Sequence, residues 1–418
     1  MHTRPRVIVI GGGFGGLSAV HALRSAAVDV LLIDRHNHHT FQPLLYQVAT
    51  AGLAAPSIAA PLRHILRHQR NATVLLGDVG QIDTELRSID VDGVSYPYDY
   101  LIVATGSTHA YFGHDEWAVH ARGLKTLDDA LRIRAQILTA FERAEATEDP
   151  AERMEWLTFL IVGAGATGVE LAGTLAEIAR HTLKREFRHI DPAAARVLLV
   201  EAGPRVLPAF PPSLSAKAQR QLERLGVVVR TGHAVTSLDA RGVLIGEERI
   251  AARTVLWAAG VAASPLGAAL GVPVDRAGRV RVTAQLGVFG HPEVLVVGDL
   301  AAVPDEIGPL PAIAPAAKQM GHYAATAILA QLAGRPAKPF HYRHFGSLAT
   351  IGRMAAVADF GTIRLSGLLA WWVWLTAHIY FLIGFRNRLV VLIDWAEAYW
   401  SYRRSARIII PVGEFTER

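Results

Sequence analysis

Val7-Ile8-Val9-Ile10 leads straight into Gly11-Gly12-Gly13-Phe14-Gly15-Gly16, and residues 17–24 then take up a helical pattern. A short apolar run closed by glycine reads as a strand buried on both faces, so the order is strand, tight turn, helix. A second apolar run, 28–33, ends at Asp34. Glycines let a backbone approach a pyrophosphate, a helix start supplies unpaired N–H groups and a positive dipole, and a carboxylate ending the second strand takes ribose hydroxyls. Gly11, Gly13, Gly16 and Asp34 are therefore the first candidate dinucleotide ligands.

A whole domain later the pattern returns. Phe159-Leu160-Ile161-Val162 precedes Gly163-Ala164-Gly165-Ala166-Thr167-Gly168, then a long helical stretch with Glu170 and Glu177, then a strand at 197–200 that ends at Glu201. Two copies at that spacing mark a duplicated βαβ unit and not a solenoid. Gly163, Gly165, Gly168 and Glu201 form the second ligand set. Two dinucleotide sites in one chain imply that one keeps a flavin and the other exchanges a nicotinamide, with electrons passing between them.

The 418 residues suffice for more than one core, and 51% hydrophobic content with a mean hydropathy of +0.25 excludes extended disorder. A net charge of +5 is too diffuse for a nucleic-acid partner. There is no cysteine, which excludes disulfide scaffolds, thiolate zinc sites, iron–sulfur clusters and thiol redox centres. His36, His38 and His39 lack the spacing of a helix-borne ligand pair, so they read as a solvated loop near the flavin, with no metal site. Only four apolar residues follow the basic N-terminal residues, too few for a signal peptide.

Residues 115–155 are charged and helical in pattern, with a connection at Glu148-Asp149-Pro150. Ala104-Thr105-Gly106 ends an apolar strand, and Gly298-Asp299 follows another at 294–297. The doubled turn resembles the flavoproteins with two dinucleotide-binding domains, in which an NADH domain interrupts the FAD domain. That resemblance implies that Ala104, Thr105, Gly106 and Asp299 belong to the FAD site, with Asp299 on the ribityl chain.

Three stretches narrow the resemblance: Phe41-Gln42-Pro43-Leu44-Leu45-Tyr46-Gln47-Val48-Ala49, the second turn continued through Val169-Glu170-Leu171-Ala172, and Leu348-Ala349-Thr350-Ile351-Gly352-Arg353. They are similar to the type II NADH:quinone oxidoreductases over residues 6–410. The resemblance implies hydride transfer from NADH to FAD and two-electron reduction of a membrane quinone in a respiratory chain, without proton pumping. It assigns catalytic roles to Glu170, near nicotinamide and flavin, and to Gln319, and it places Pro43, Tyr46, Gln47 and Gln319 at the quinone pocket. Disulfide reductases and sulfide:quinone oxidoreductases of the wider family use cysteines that this chain lacks. Two positions depart from the pattern: Pro315 stands where the quinone motif has its other glutamine, and Phe345 where many members have lysine.

Residues 365–385 carry no formal charge, and five of the eight tryptophans follow residue 370, so the tail meets either lipid or another protein surface. Arg364, Arg386, Arg388, Arg403, Arg404 and Arg407 surround this apolar material, with Asp394 and Glu397 in the next helical stretch. A pair of amphipathic helices lying in an anionic leaflet explains both features better than a spanning helix. A homodimer interface is the alternative.

The expected fold is α/β. Two Rossmann-like dinucleotide-binding domains are arranged with the NADH domain (113–275) inserted into a discontinuous FAD domain (1–112 and 276–362). A C-terminal amphipathic helical membrane module (363–418) follows a domain change near Asp359, and the flavin chemistry is expected to survive its removal. The expected location is peripheral, on the cytoplasmic face of the cell membrane. The rival functions are a soluble NADH-dependent flavin reductase or oxidase that passes electrons to a protein or oxygen, and a redox-sensing flavoprotein.

Overall fold

Within the strand Arg6–Ile10 every residue from Val7 onward is buried, as a parallel strand covered on both faces requires. The computed structural model describes residues 4–304, 310–401, 404 and 406–409, so Met1, Arg403 and the tail beyond 409 lie outside the described residues. Two compact units divide the chain, one formed by 1–39, 60–108 and 261–345, the other by 40–59, 109–260 and 346–418.

In the first unit Arg6–Ile10 lies inside a six-stranded sheet. Its order is Gly287–Val288, His291–Val296, Tyr100–Val103, Arg6–Ile10, Asp29–Asp34, Ala72–Leu76. All neighbours are parallel except the first two strands. Ile10 pairs with Ile33, so Gly11 and Asp34 leave the sheet side by side at its carboxyl end, where open α/β sheets bind ligands. The helices Phe14–Ala22 and Ala314–Leu332 approach so closely that a Cβ on Gly321 would collide with the Gly15 carbonyl.

The second unit repeats the plan with an all-parallel sheet in the order Ala121–Gly123, Thr254–Trp257, Thr158–Val162, Arg196–Glu201, Val227–Thr231. Its largely aliphatic core includes an aromatic group, with the Tyr111 and Trp257 rings stacked at 5.1 Å and the Trp257 indole donating to the Ala110 carbonyl at 2.8 Å. The charged segment resolves into the helices Leu127–Ala146 and Pro150–Trp156, and Asp149 caps the second by accepting the Ala151 N–H at 3.0 Å.

An antiparallel sheet of Ser347–Gly352, Ala355–Asp359 and Arg364–Gly367 packs on the helix Ala166–Glu177. Gly173 makes this possible, because a Cβ there would run into the Ile351 carbonyl. The sheet crosses the boundary expected at 362/363, since Asp359 pairs with Arg364. The other expected boundaries, 112/113 and 275/276, lie 4 and 15 residues from unit boundaries at 108/109 and 260/261, and the segment 40–59, expected in the FAD domain, groups with the second unit.

The charge-free run is not one element. It supplies the end of a strand, the helix Leu368–Phe381 and a break at Gly384, which takes φ +86°, before the helix Phe385–Ser401. Among the described residues no helix is long and apolar enough to cross a membrane. Trp371, Trp374 and Trp395 are no more than 5% exposed, which corrects the expectation that the tail tryptophans face lipid as a set. Their rings pack inside the second unit, where Trp374 and Trp395 lie 5.2 Å apart.

Candidate functional site

The two glycine turns have the same construction. Gly11 and Gly163 take φ of +102° and +98°, a region that costs a side chain energy but suits glycine. A Cβ on Gly16 would collide with the Gly11 carbonyl, and one on Gly168 with the Gly163 carbonyl. Beside Gly13 and Gly165, by contrast, a Cβ would meet nothing within 4 Å. These are the positions where a phosphate would meet backbone. Each is the cap of a helix that has no side-chain cap, so the first-turn N–H groups are open to an anion.

Each turn is closed by its carboxylate. Asp34 Oδ2 accepts the Gly12 N–H at 2.6 Å, and Glu201 Oε2 accepts the Ala164 N–H at 2.7 Å. The remaining oxygens accept one backbone N–H each, from His36 at 2.7 Å and from Gly203 at 2.8 Å. Burial opposes the Asp34 charge, but hydrogen bonds from His36 and Gly12 outweigh it and hold the carboxyl below its ordinary value. An ionised carboxylate can accept from hydroxyl groups with both oxygens.

His39 is 2% exposed, which corrects the reading of the three histidines as one solvated loop. Its ring meets Phe14 edge-on at 4.9 Å and its Nδ1 bonds the Gly12 carbonyl at 2.9 Å, so it buttresses the turn from behind. Burial lowers its pKa to about 4, and it stays neutral.

The later elements of the first unit supply a cavity of about 560 Å³ lined by Ser107, Arg279, Asp299, Ala317 and Met320. The Ser107 hydroxyl donates to Asp299 at 2.8 Å. Thr105 Oγ1 is buried with no partner among the described residues. An orphaned hydroxyl next to a turn that leaves room for phosphate is what a chain built around a bound dinucleotide contains. The residues present therefore suit FAD.

In the second unit, Glu170, Gly173 and Glu177 lie along one face of the helix Ala166–Glu177 and meet Thr350, Ile351 and Arg353. Burial raises the Glu170 carboxyl well above its ordinary pKa, opposed by the Thr350 backbone N–H, and so favours its neutral form. Glu177 accepts the Arg353 N–H and pairs with Arg404 at 3.4 Å. A cavity of about 640 Å³ adjoins this ion pair and is lined by Tyr46, Gln47, Arg353, Trp374, Trp395 and Tyr399, among others.

Of the expected quinone-pocket residues, Tyr46 and Gln47 line this cavity, whereas half-buried Pro43 lies in the single turn Gln42–Leu44 ahead of them. Gln319 belongs to the first unit, and both ends of its amide bond the Arg343 backbone, at 2.9 and 3.0 Å. Arg205, close behind Glu201, is turned to the Pro208 carbonyl at 2.9 Å.

Sequence reading gave Arg404 to the lipid surface, which its ion pair with Glu177 corrects, and passed over Trp395 and the pairing role of Glu177. Glu177 did leave a signal, standing two helical turns after Glu170 and so on the same face.

The family model for pyridine nucleotide-disulphide oxidoreductases matches residues 5–321, and the model of the NDH2 C-terminal domain matches 344–404. Type II NADH:quinone oxidoreductase NdhA of Mycobacterium tuberculosis is 48% identical over 97% of this chain and 89% of its own length. Demethylphylloquinone reductase NdbB of Synechocystis is 30% identical over 94% of this chain and 96% of its own. The solved structure of Plasmodium falciparum NDH2 in complex with NADH superposes with a TM-score of 0.88, covering 97% of this chain and all of that one at 22% identity, which shows a shared fold. With the doubled turn, the cysteine-free composition and the C-terminal sheet and helices in place, the chain belongs to the type II NADH:quinone oxidoreductases.

Proposed function

We propose that this chain oxidises NADH and reduces a membrane quinone by way of bound FAD, without proton pumping. One observation carries the reading: two glycine turns of matching geometry, each closed by its own carboxylate, stand in a chain with no thiol to accept electrons. Names of relatives agree, since the mycobacterial one is named for NADH and quinone and the cyanobacterial one for demethylphylloquinone.

Gly11, Gly13, Gly16, Asp34, Ala104, Thr105, Gly106 and Asp299 hold FAD; Gly163, Gly165, Gly168 and Glu201 hold NADH. The chemistry that FAD supplies when bound is two-electron exchange between NADH and quinone. Asp34 and Glu201 orient the two ribose rings. Glu170, whose neutral form burial favours, offers a carboxyl donor near the nicotinamide. Tyr46 and Gln47 receive the quinone, and Gln319 holds the segment around Arg343 in place.

The tail binds an anionic lipid surface from the cytoplasmic face. Leu369, Trp372, Phe385 and Ile393 are each more than half exposed, and Arg386 stands exposed among them. Arg404 and Arg407 do not serve that surface, because they pair with Glu177 and Glu186. The same apolar face is the one a homodimer would use. Steady-state NADH oxidation with a short-chain quinone, set against oxygen alone, tests the proposal: a large excess with quinone is expected, and equal rates would favour an oxidase.

A further inference from the structure

Trp395 donates its indole N–H to Gln47 Oε1 at 2.7 Å, and Gln47 Nε2 donates to the Tyr46 hydroxyl oxygen at 2.9 Å. An indole nitrogen only donates, so the amide atom facing Trp395 must be the oxygen, and the amide nitrogen is then forced towards Tyr46. The tyrosine oxygen therefore accepts, and its own proton is directed elsewhere. Among the described residues the Tyr46 hydroxyl has Gln47 as its one hydrogen-bond partner. Trp374 is 2% exposed, lines the same cavity, and has a buried Nε1–H with no partner among the described residues. Two residues that line this cavity of about 640 Å³ thus carry donors for which the described residues supply no acceptor. A carbonyl oxygen is the group that answers such a pair, because it accepts and never donates.

We infer that Trp395 is a positioning residue: by holding the Gln47 amide in one orientation, it turns the Tyr46 O–H outward to donate to a carbonyl oxygen of the quinone. The inference rests on the reading that this cavity takes the quinone. It deepens that reading by giving the site a direction: Trp395 to Gln47, Gln47 to Tyr46, Tyr46 to ligand. Burial raises the Tyr46 pKa, so the donor keeps its proton across the working pH range. Without Trp395 the amide is free to turn over, and Gln47 Oε1 would then take the Tyr46 proton for itself.

The test uses the full-length, FAD-loaded protein. Stopped-flow mixing with NADH and then with a short-chain quinone separates flavin reduction from reoxidation. Trp395→Phe keeps a ring and deletes the donor; it should slow reoxidation about tenfold at low quinone, the effect of one neutral hydrogen bond, and leave reduction by NADH at the parental rate. Trp395→His, which restores an N–H, should recover part of that loss. Equal defects in the two variants would mean that packing alone is at stake and would overturn the inference.

Gln47→Glu leaves every ring in place and tests the direction independently. When ionised, the new carboxylate accepts from both Trp395 and Tyr46 and removes the outward donor, whereas its protonated form reproduces the parental pattern. Reoxidation of this variant should therefore recover as pH falls. Glu170, Glu177, Tyr399 and Arg404 are the titratable neighbours of Tyr46, and since all stay in place, the parental pH profile is the baseline. A Gln47→Glu profile parallel to the parent's would overturn the inference. Tyr46→Phe distinguishes the two levels of the argument. Parental reoxidation in Tyr46→Phe would refute the placement of quinone in this cavity, whereas a slow Tyr46→Phe beside a parental Trp395→Phe would refute the role of Trp395 alone.

Discussion

Glu177 and Arg404 stand 227 positions apart in sequence and meet at 3.4 Å, with side chains only 13% and 10% exposed. Burial pushes the Glu177 pKa up, against the pull of Arg404, and lowers that of Arg404, against the pull of Glu177; each partner favours the charged form of the other. Arg404 also donates to the Thr50 carbonyl at 2.9 Å, so it fastens the chain's end to the segment that carries Tyr46 and Gln47.

Removing one member of such a pair leaves a buried charge without its counterion. Arg404→Met should destabilise the fold by about 3–5 kcal/mol, whereas Glu177→Gln combined with Arg404→Met should recover most of that loss. Denaturant melts of the two variants and the parent decide the matter. If the double variant is no better than the single one, the ion pair is not the source of the effect.

Gly13 and Gly16 make opposite demands on a side chain. Beside Gly13 there is open space, so Gly13→Val should fold and lose the yellow flavin, because the branched side chain occupies the place of phosphate. Gly16→Val should fail earlier, in folding, since its Cβ runs into the Gly11 carbonyl. Absorbance near the flavin band, together with circular dichroism, distinguishes the two. Full flavin occupancy in Gly13→Val would contradict the assignment of this turn.

Local features were legible in the sequence where a short segment determines its own geometry. The strands Arg6–Ile10 and Thr158–Val162, both turns and the carboxylates that close them were all readable, because buried parallel strands are apolar throughout and turn glycines stand at fixed spacing. Two features were not. A run of apolar and aromatic residues has the same composition whether it meets lipid or core, so the burial of Trp371 and Trp374 was hidden. Which partner the tertiary fold brings to a residue, as Arg404 to Glu177 and Trp395 to Gln47, is not written at either position, although Glu177 shares a helix face with Glu170.

Glu201 bears on the choice of nicotinamide. Its two oxygens, fixed by the Ala164 and Gly203 N–H groups, favour free ribose hydroxyls and repel a 2′-phosphate. Glu201→Gln should lower the preference for NADH over NADPH by about tenfold, the effect of ~1.4 kcal/mol of charge repulsion removed. Specificity constants for both cofactors give the ratio directly. An unchanged ratio would remove Glu201 from the ribose site.

Glu170 should leave a mark on stability as a function of pH. Its folded pKa is raised well above the ordinary 4.5 by burial. Above that value the unfolded chain releases the proton while the folded chain keeps it, so stability falls as pH rises towards the folded pKa and is fully retained below the unfolded one. Glu170→Gln has the same shape and cannot titrate. The variant should therefore gain on the parent as pH rises, by no more than ~1.4 kcal/mol per pH unit, and show no such trend in acid. A difference that does not vary with pH would mean that Glu170 is ionised in the fold.

Tail truncation would not test membrane binding cleanly, because Trp374 and Arg404 belong to the packed interior of the second unit. Substituting the outward face does. Leu369, Trp372, Phe385 and Leu389 are 67%, 55%, 81% and 49% exposed, so serine at all four positions should cost the fold little. On a lipid surface each of these side chains buries apolar area worth about 1.5–3 kcal/mol, so the quadruple variant should float with anionic vesicles at least a hundredfold less well. Reduction of a soluble dye by NADH should stay parental, because none of the four is assigned to a turn or to the cavity. Arg386→Glu should weaken flotation by a smaller, salt-dependent factor of about tenfold. If the quadruple variant floats like the parent, the apolar face does not serve lipid. A parent that sediments as a dimer in detergent and a variant that sediments as a monomer would then assign that face to a second copy of the chain.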